Sequence, residues 1–265
     1  MSEHKRFASS SQKNMEEKFV SLSTRQGVVQ NFTLIEPDDA DACVILFAGG
    51  PGNIHLSQDD GRVNIGRDIN FLVRSRWLFA EQGLNVAVVD APSDRQNETG
   101  MLGSFRKSDD HVTDIKFVVG YLKEERDRPV WLVGTSRGTE SAAYVTIRQG
   151  QNIAGLILTS SIVVTDRNGL SLTDMDLDKI HVPTQILAHK EDECPQTPAS
   201  GAELIAAGLV NAPDVAVAFF EGGDLPLSGP CDPLCAHGFL GIEREVVTEI
   251  AYFIRSHSGF SDEIG

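Results

Sequence analysis

Ser136 stands between two glycines in VWLVGTSRGTESAAYV, Val130 to Val145, where an apolar run gives way to a helical pattern. Gly134 and Gly138 bring no side chains into what must be a sharp strand-to-helix turn, and such a turn pushes the serine hydroxyl outward. That hydroxyl is a poor nucleophile at neutral pH. Acyl transfer through it needs a base to take its proton and a carboxylate to orient the base. Asp192, in QILAHKEDECPQTP, follows an apolar run, and His237 lies further on in CDPLCAHGFLGIEREVV. The three occur in the chain order serine, acid, histidine, 56 and then 45 residues apart. Glu191 and Glu193 compete with Asp192 for the acid role, and His189 competes with His237 for that of the base. Asp192 is preferred because it closes the pattern H-x-x-D, and His237 because His189 lies too near the acid in sequence.

A developing oxyanion also needs donors, and losing one costs about 10²- to 10³-fold in turnover. The backbone N–H of Arg137, next after the serine, is one candidate. LFAGGPGNIHL supplies the other: Gly49, Gly50 and Gly52 allow close backbone approach, whereas Pro51 has no N–H to give. Gly50 is the expected donor. GGPGN lacks the G-x-G-x-x-G spacing of a dinucleotide loop.

These residues must be positioned by a sheet. FVSLST and VVQNFTLIEP, separated by RQG, read as a hairpin of edge strands. CVILFAGG, NVAVVDAP, VWLVGTS, AGLILTSS, TQILAHK and VAVAFFEGG are uniformly apolar, as central parallel strands covered on both faces are. Helical spacing runs over about 68–82, 110–126, 137–149, 199–210 and 240–256. The alternation predicts an α/β fold with a mostly parallel sheet of about eight strands, helices on both faces and ligands at the carboxyl ends of the strands. Residues 1–18 are polar and read as a flexible tail, leaving 19–265 as one domain.

The 38 acidic against 23 basic residues give a formal charge of −15, which disfavours nucleic acid and anionic membranes as partners. No apolar run approaches the roughly 20 residues of a membrane helix. Nor does the amino terminus carry a secretory core, so the chain as it stands reads as cytoplasmic, or as periplasmic or secreted if a signal has been removed. Nothing specifies an oligomeric state.

With GGPG at 49–52, VDAPSD at 89–94, GTSRG at 134–138, HKED at 189–192 and HGF at 237–239, the chain resembles the α/β-hydrolase superfamily from about Phe19 to Ile254. It more closely resembles a bacterial subgroup of small hydrolases in which a cysteine follows the acid and another precedes the histidine. Ala48 stands where lipases commonly carry histidine, which departs from lipase specificity. SIVVTDRNGLSLTDMDLDKI leaves little room for a lid domain. The substrate wall is therefore expected from 53–67 and 93–109, with Asn53, Arg95 and Arg106 as substrate contacts. Arg95, Arg106 and Arg137 would make this mouth locally positive, unless they pair with surrounding carboxylates.

Cys194, Cys231 and Cys235 occupy the acid and histidine loops, which the triad would bring together; Cys43 opens a buried strand. A Cys194–Cys231 bridge would fasten the two loops, with Cys235 the competing partner, and would imply an oxidising compartment. The four ligands of a structural zinc site are lacking, and neither a P-loop nor a flavin signature is present, so no metal and no cofactor are expected. The expected function is hydrolysis of a small carboxylic ester through a Ser-His-Asp triad and an acyl-enzyme. Two alternatives stand beside it: an amidase or small peptidase using the same triad, and a non-catalytic binding scaffold in which Ser136, Asp192 and His237 do not converge.

Overall fold

In a computed structural model, which describes residues 15–258, the apolar runs become strands and the periodic segments helices. In chain order these are β1 (Glu17–Arg25), β2 (Val28–Ile35), β3 (Ala42–Phe47), β4 (Leu56–Asp59), β5 (Arg62–Ile65), α1 (Phe71–Arg74), α2 (Arg76–Glu81) and β6 (Leu84–Val89). There follow α3 (Asp109–Arg126), β7 (Val130–Thr135), α4 (Gly138–Gln149), β8 (Gly155–Thr159), β9 (Thr184–His189), α5 (Gly201–Gly208), β10 (Val215–Phe220) and α6 (Glu243–His257). Eight strands form one sheet in the order β1-β2-β6-β3-β7-β8-β9-β10. β1 pairs antiparallel with β2, and β2 with β6; every other pairing is parallel.

Side chains alternate across the sheet, so each central strand feeds two cores. Cys43, Ile45 and Phe47 of β3 join Ile115, Val118 and Leu122 of α3 and Ala142 and Val145 of α4 on one face. Val44 and Leu46 face the other way, with Phe71 and Leu72 of α1, Phe79 of α2 and Val246, Ile250 and Ile254 of α6. β3, β6, β7, β8 and β9 are buried along their whole length. β10, expected to be covered on both faces, is instead the half-buried edge strand, and Phe219 is 39% exposed there.

Local chemistry accounts for the remaining departures. The helix expected over 68–82 breaks at Ser75, where ψ is 0°, into α1 and α2; the Asn70 side chain caps the first by accepting from Leu72 N. Ser108 caps α3 by accepting from His111 N. β4 and β5 form a hairpin inside the stretch read as irregular loop. Its turn residues Asp60 and Gly61 both have positive φ, 45° and 78°, as an Asp-Gly hairpin turn demands. Of the tail expected over 1–18, positions 1–14 lie outside the described residues, as do 259–265 of the expected domain. Glu17 and Lys18 belong to β1, where Glu17 pairs with Arg76 and Lys18 with Glu36. Between β8 and β9 there are an isolated bridge, Asp166 with Gly169, and single turns of 3₁₀ helix at Leu172–Asp174 and Leu177–Lys179, and this segment forms no lid domain.

Candidate active site

β7 runs into Ser136 and turns at once into α4. Ser136 sits in the left-handed region at φ 51°, a conformation that costs a non-glycine residue energy and that the turn must impose. The surroundings show how. A Cβ on Gly134 would lie 2.5 Å from the Gly138 carbonyl oxygen, and one on Gly138 would collide with the Phe47 carbonyl of β3. Ser136 N donates to Thr159 O of β8, at 3.1 Å, which fixes the turn against the neighbouring strand.

Asp192 and His237, the expected acid and base, meet. His237 Nδ1 lies 2.9 Å from Asp192 Oδ2, although 45 residues separate them. Asp192 follows β9, and its other oxygen accepts from Cys194 N at 2.9 Å. Thr197 completes the arrangement: its hydroxyl donates to Asp192 Oδ2 at 2.8 Å and presents its oxygen to His237 Nδ1 at 3.0 Å. Two acceptors facing Nδ1 favour the tautomer with the proton on that nitrogen, which leaves Nε2 as the free base. Ser160 Oγ donates to the His237 carbonyl at 2.8 Å and ties the base loop to the end of β8. Ser136 and His237 line the same cavity, of about 500 Å³. Among the described residues no hydrogen bond joins the serine hydroxyl to the imidazole, a contact that commonly tightens only when substrate binds.

The rivals are accounted for. His189 is fully buried, with Nε2 3.0 Å from Gly222 O and Nδ1 accepting from Glu191 N, so both ring nitrogens are engaged away from the serine. Glu191 and Glu193 are exposed.

Gly50 lines the cavity at φ 56°. The N–H groups of Gly50 and Arg137 make no hydrogen bond to another described residue, and Arg137 N opens α4, where the helix dipole favours negative charge. The Arg137 side chain does not serve the mouth. Its guanidinium is buried, donating to Glu140 at 2.9 Å and Asp166 at 2.6 Å. Burial pushes the Glu140 carboxyl up, against the pull of Arg137, Arg106 and Lys107.

Of the expected substrate contacts only Asn53 lines the cavity, and its side chain is already engaged: Nδ2 donates to Asn97 O and Oδ1 accepts from Arg67, both at 2.6 Å. Arg95 turns away and stacks over Phe105, 4.5 Å from the ring centroid. Arg106, expected to touch substrate, is instead fully buried behind the glycine loop and does not reach the cavity. The arginine that does line it is Arg67, the last residue of the 53–67 stretch, held by Asn53. Asp68 and Asp232 share the wall. Asp90, which follows β6 in VDAPSD, carries that wall from beneath: its carboxylate accepts from Ile54, Leu56 and Ala91 N at 2.7, 2.9 and 2.8 Å. Burial raises its pKa while the three amides resist.

Cys194 and Cys231 form the expected disulfide, with Cα atoms 4.7 Å apart. Cys231 also lines the cavity, and Cys235 remains a buried thiol. No cluster of metal-ligating side chains occurs among the described residues, and no described helix is long and apolar enough to cross a membrane.

No family model and no curated sequence matches the chain. Among solved structures it is similar to an esterase from Pyrococcus furiosus, at TM-score 0.64 and 14% identity over 92% of this chain and 94% of that one. A dienelactone hydrolase from Anabaena variabilis gives 0.62 and 12%, covering 93% and 100% of the two chains. The chain has the α/β-hydrolase fold. It is similar too to a lidless α/β serine hydrolase from Xanthomonas campestris, at TM-score 0.60 and 13% identity over 93% of this chain and 97% of that one. At such identities an α/β-hydrolase fold is common ground for many chemistries, so what this chain does must be argued from its own site.

Proposed function

We propose that the protein is a serine hydrolase of small carboxylic esters. The observation that carries this reading is the 2.9 Å contact of Asp192 with His237 on the cavity into which the strained turn lifts Ser136. His237 Nε2 takes the Ser136 proton as Oγ attacks the acyl carbon, and the oxyanion is received by the Gly50 and Arg137 N–H groups. His237 then protonates the departing alcohol. Water, deprotonated by the same nitrogen, attacks the acyl-enzyme and releases the acid. Asp192 stays ionised and holds the imidazole.

A cavity of about 500 Å³ suits a substrate of modest size. Arg67, steadied by Asn53, is the polar contact proposed for its wall. The esterases among the structural neighbours support ester over amide cleavage. Convergence of acid and base speaks against a merely binding scaffold. The Cys194–Cys231 bridge favours work in an oxidising compartment over the cytoplasm.

Fluorophosphonate labelling, with p-nitrophenyl acetate and acetanilide hydrolysis measured alongside, tests the reading. Wild-type protein is expected to label and to prefer the ester, while Ser136→Ala does neither. Equal labelling of both proteins would remove Ser136 from its role.

A further inference from the structure

Arg106 has no place in the mechanism above, yet it is among the most deeply buried side chains of the protein. Burial of a guanidinium costs several kcal/mol unless its hydrogen bonds and charge are met. Among the described residues no carboxylate hydrogen-bonds to it. Glu140, the nearest acid acting on its charge, is already bound by Arg137 at 2.9 Å. Desolvation draws the Arg106 pKa down to about 10, so it is still a cation at neutral pH.

What it does bind is specific. Nη2 donates to Ala48 O and to Gly50 O, both at 3.0 Å, and Nη1 donates to Ser141 Oγ on α4 at 2.7 Å. The two carbonyls flank the Gly49–Gly50 peptide. That peptide's own carbonyl, Gly49 O, accepts from Gly52 N at 3.2 Å. In a trans peptide the N–H points opposite to the C=O, so the Gly50 N–H is turned away from Gly52. Three successive carbonyls are thus held, and the direction of the Gly50 N–H, which shares its peptide with Gly49 O, is set with them. The other end of the guanidinium grips α4, the helix whose N-cap residue is Arg137. Gly52 makes the space: a Cβ there would lie 2.5 Å from Arg106 Nη2.

Resting on the reading of Ser136 as nucleophile, we propose that Arg106 is the positioning residue of the oxyanion hole, a strut that fixes the Gly50 amide relative to the Arg137 amide. It touches no substrate; it sets the separation and aim of two donors that do. A glycine-rich loop left without it would sample directions in which the Gly50 N–H misses the oxyanion, and the loss would fall on the transition state rather than on substrate binding.

The test compares Arg106→Met, Arg106→Lys and Ser141→Ala with wild type on p-nitrophenyl acetate, each normalised to active sites titrated with a fluorophosphonate. Inhibition by an aryl trifluoromethyl ketone, whose adduct carries an oxyanion, is measured in parallel. Arg106→Met is expected to lower kcat about 10- to 100-fold with KM within about twofold, and to weaken the ketone by the same factor. Arg106→Lys, which keeps a donor, should recover part of both. Ser141→Ala, which releases only the helix end of the strut, should show a smaller loss of the same kind. Should Arg106→Met fail to fold, the lysine and Ser141 variants decide alone. Unchanged kcat and ketone affinity per titrated site in the variants that fold would overturn the proposal, as would a loss confined to the number of titratable sites. Wild-type turnover, and its disappearance in Ser136→Ala, reports separately on the reading of the site.

Discussion

Asp192 Oδ2 receives both the Thr197 hydroxyl, at 2.8 Å, and the His237 imidazole, at 2.9 Å, so a single oxygen fixes the base's tautomer with a threonine as its companion. Replacing the acid by an amide keeps the size and loses the charge, and the amide nitrogen can hold the imidazole in the wrong tautomer. Asp192→Asn is expected to lower kcat on p-nitrophenyl acetate about 10⁴-fold with little change in KM. Thr197→Val removes the second acceptor and leaves the carboxylate one donor short, which should cost about 10-fold, and Thr197→Ser should restore most of it. Wild-type kcat in Asp192→Asn would show that another carboxylate orients the base.

The disulfide joins the loops that carry Asp192 and His237. Its closure of 37 residues corresponds to about 4 kcal/mol on the chain-entropy view. Cys194 N also holds Asp192 Oδ1, so the bridge anchors a residue that bonds the acid directly. Reduction with dithiothreitol, or the double variant Cys194→Ser/Cys231→Ser, should lower the melting temperature and reduce kcat severalfold. Equal melting curves and rates with and without reductant would mean that the loops hold their register unaided.

The sheet and the meeting of Asp192 with His237 were legible in the sequence because chain order marks them. A glycine-flanked serine after one strand, a carboxylate after a later strand and a histidine after the last lie at the carboxyl ends of parallel strands. Six of the eight strands and their parallel pairing follow from apolar runs, and β1 and β2 from a hairpin signature of two alternating segments. Less was legible where function depends on which way a side chain turns. Arg106 and Arg95 stand in a polar, glycine-containing stretch that reads as a mouth, yet one points inward to backbone carbonyls and the other lies on Phe105. Arg67 belonged to the other wall segment, but nothing in its neighbours distinguishes it from Arg62. Thr197 lies in a run of Pro, Gln, Thr and Pro that looks like connecting loop until Asp192 is seen to need a donor. The β4–β5 hairpin did carry a sequence signal, Asp60-Gly61; the polar residues around it, Ser57, Gln58, Asp59, Arg62 and Asn64, all exposed, obscured the alternation that would have marked the strands.

His111 supplies a pH dependence that is independent of catalysis. It lies on α3, fully buried between the rings of Phe47 and Phe105, and neither ring nitrogen has a hydrogen-bond partner. Desolvation first, and then the nearby cations Arg106 and Arg25, lower its pKa from the ordinary 6.5 to about 3. The unfolded chain therefore takes up a proton near pH 6.5 that the folded chain refuses until about pH 3. Stability from this group is fully present above pH 6.5 and is lost as pH falls towards 3, at about 1.4 kcal/mol per pH unit. Urea unfolding at pH 8 and pH 5 should show wild type losing about 2 kcal/mol more than His111→Leu over that interval. Leucine is close to histidine in volume and has no nitrogen to leave unpaired, so the variant should also be no less stable than wild type at pH 5. Parallel losses in the two proteins would mean that His111 is solvated, or finds a proton partner, in the folded state.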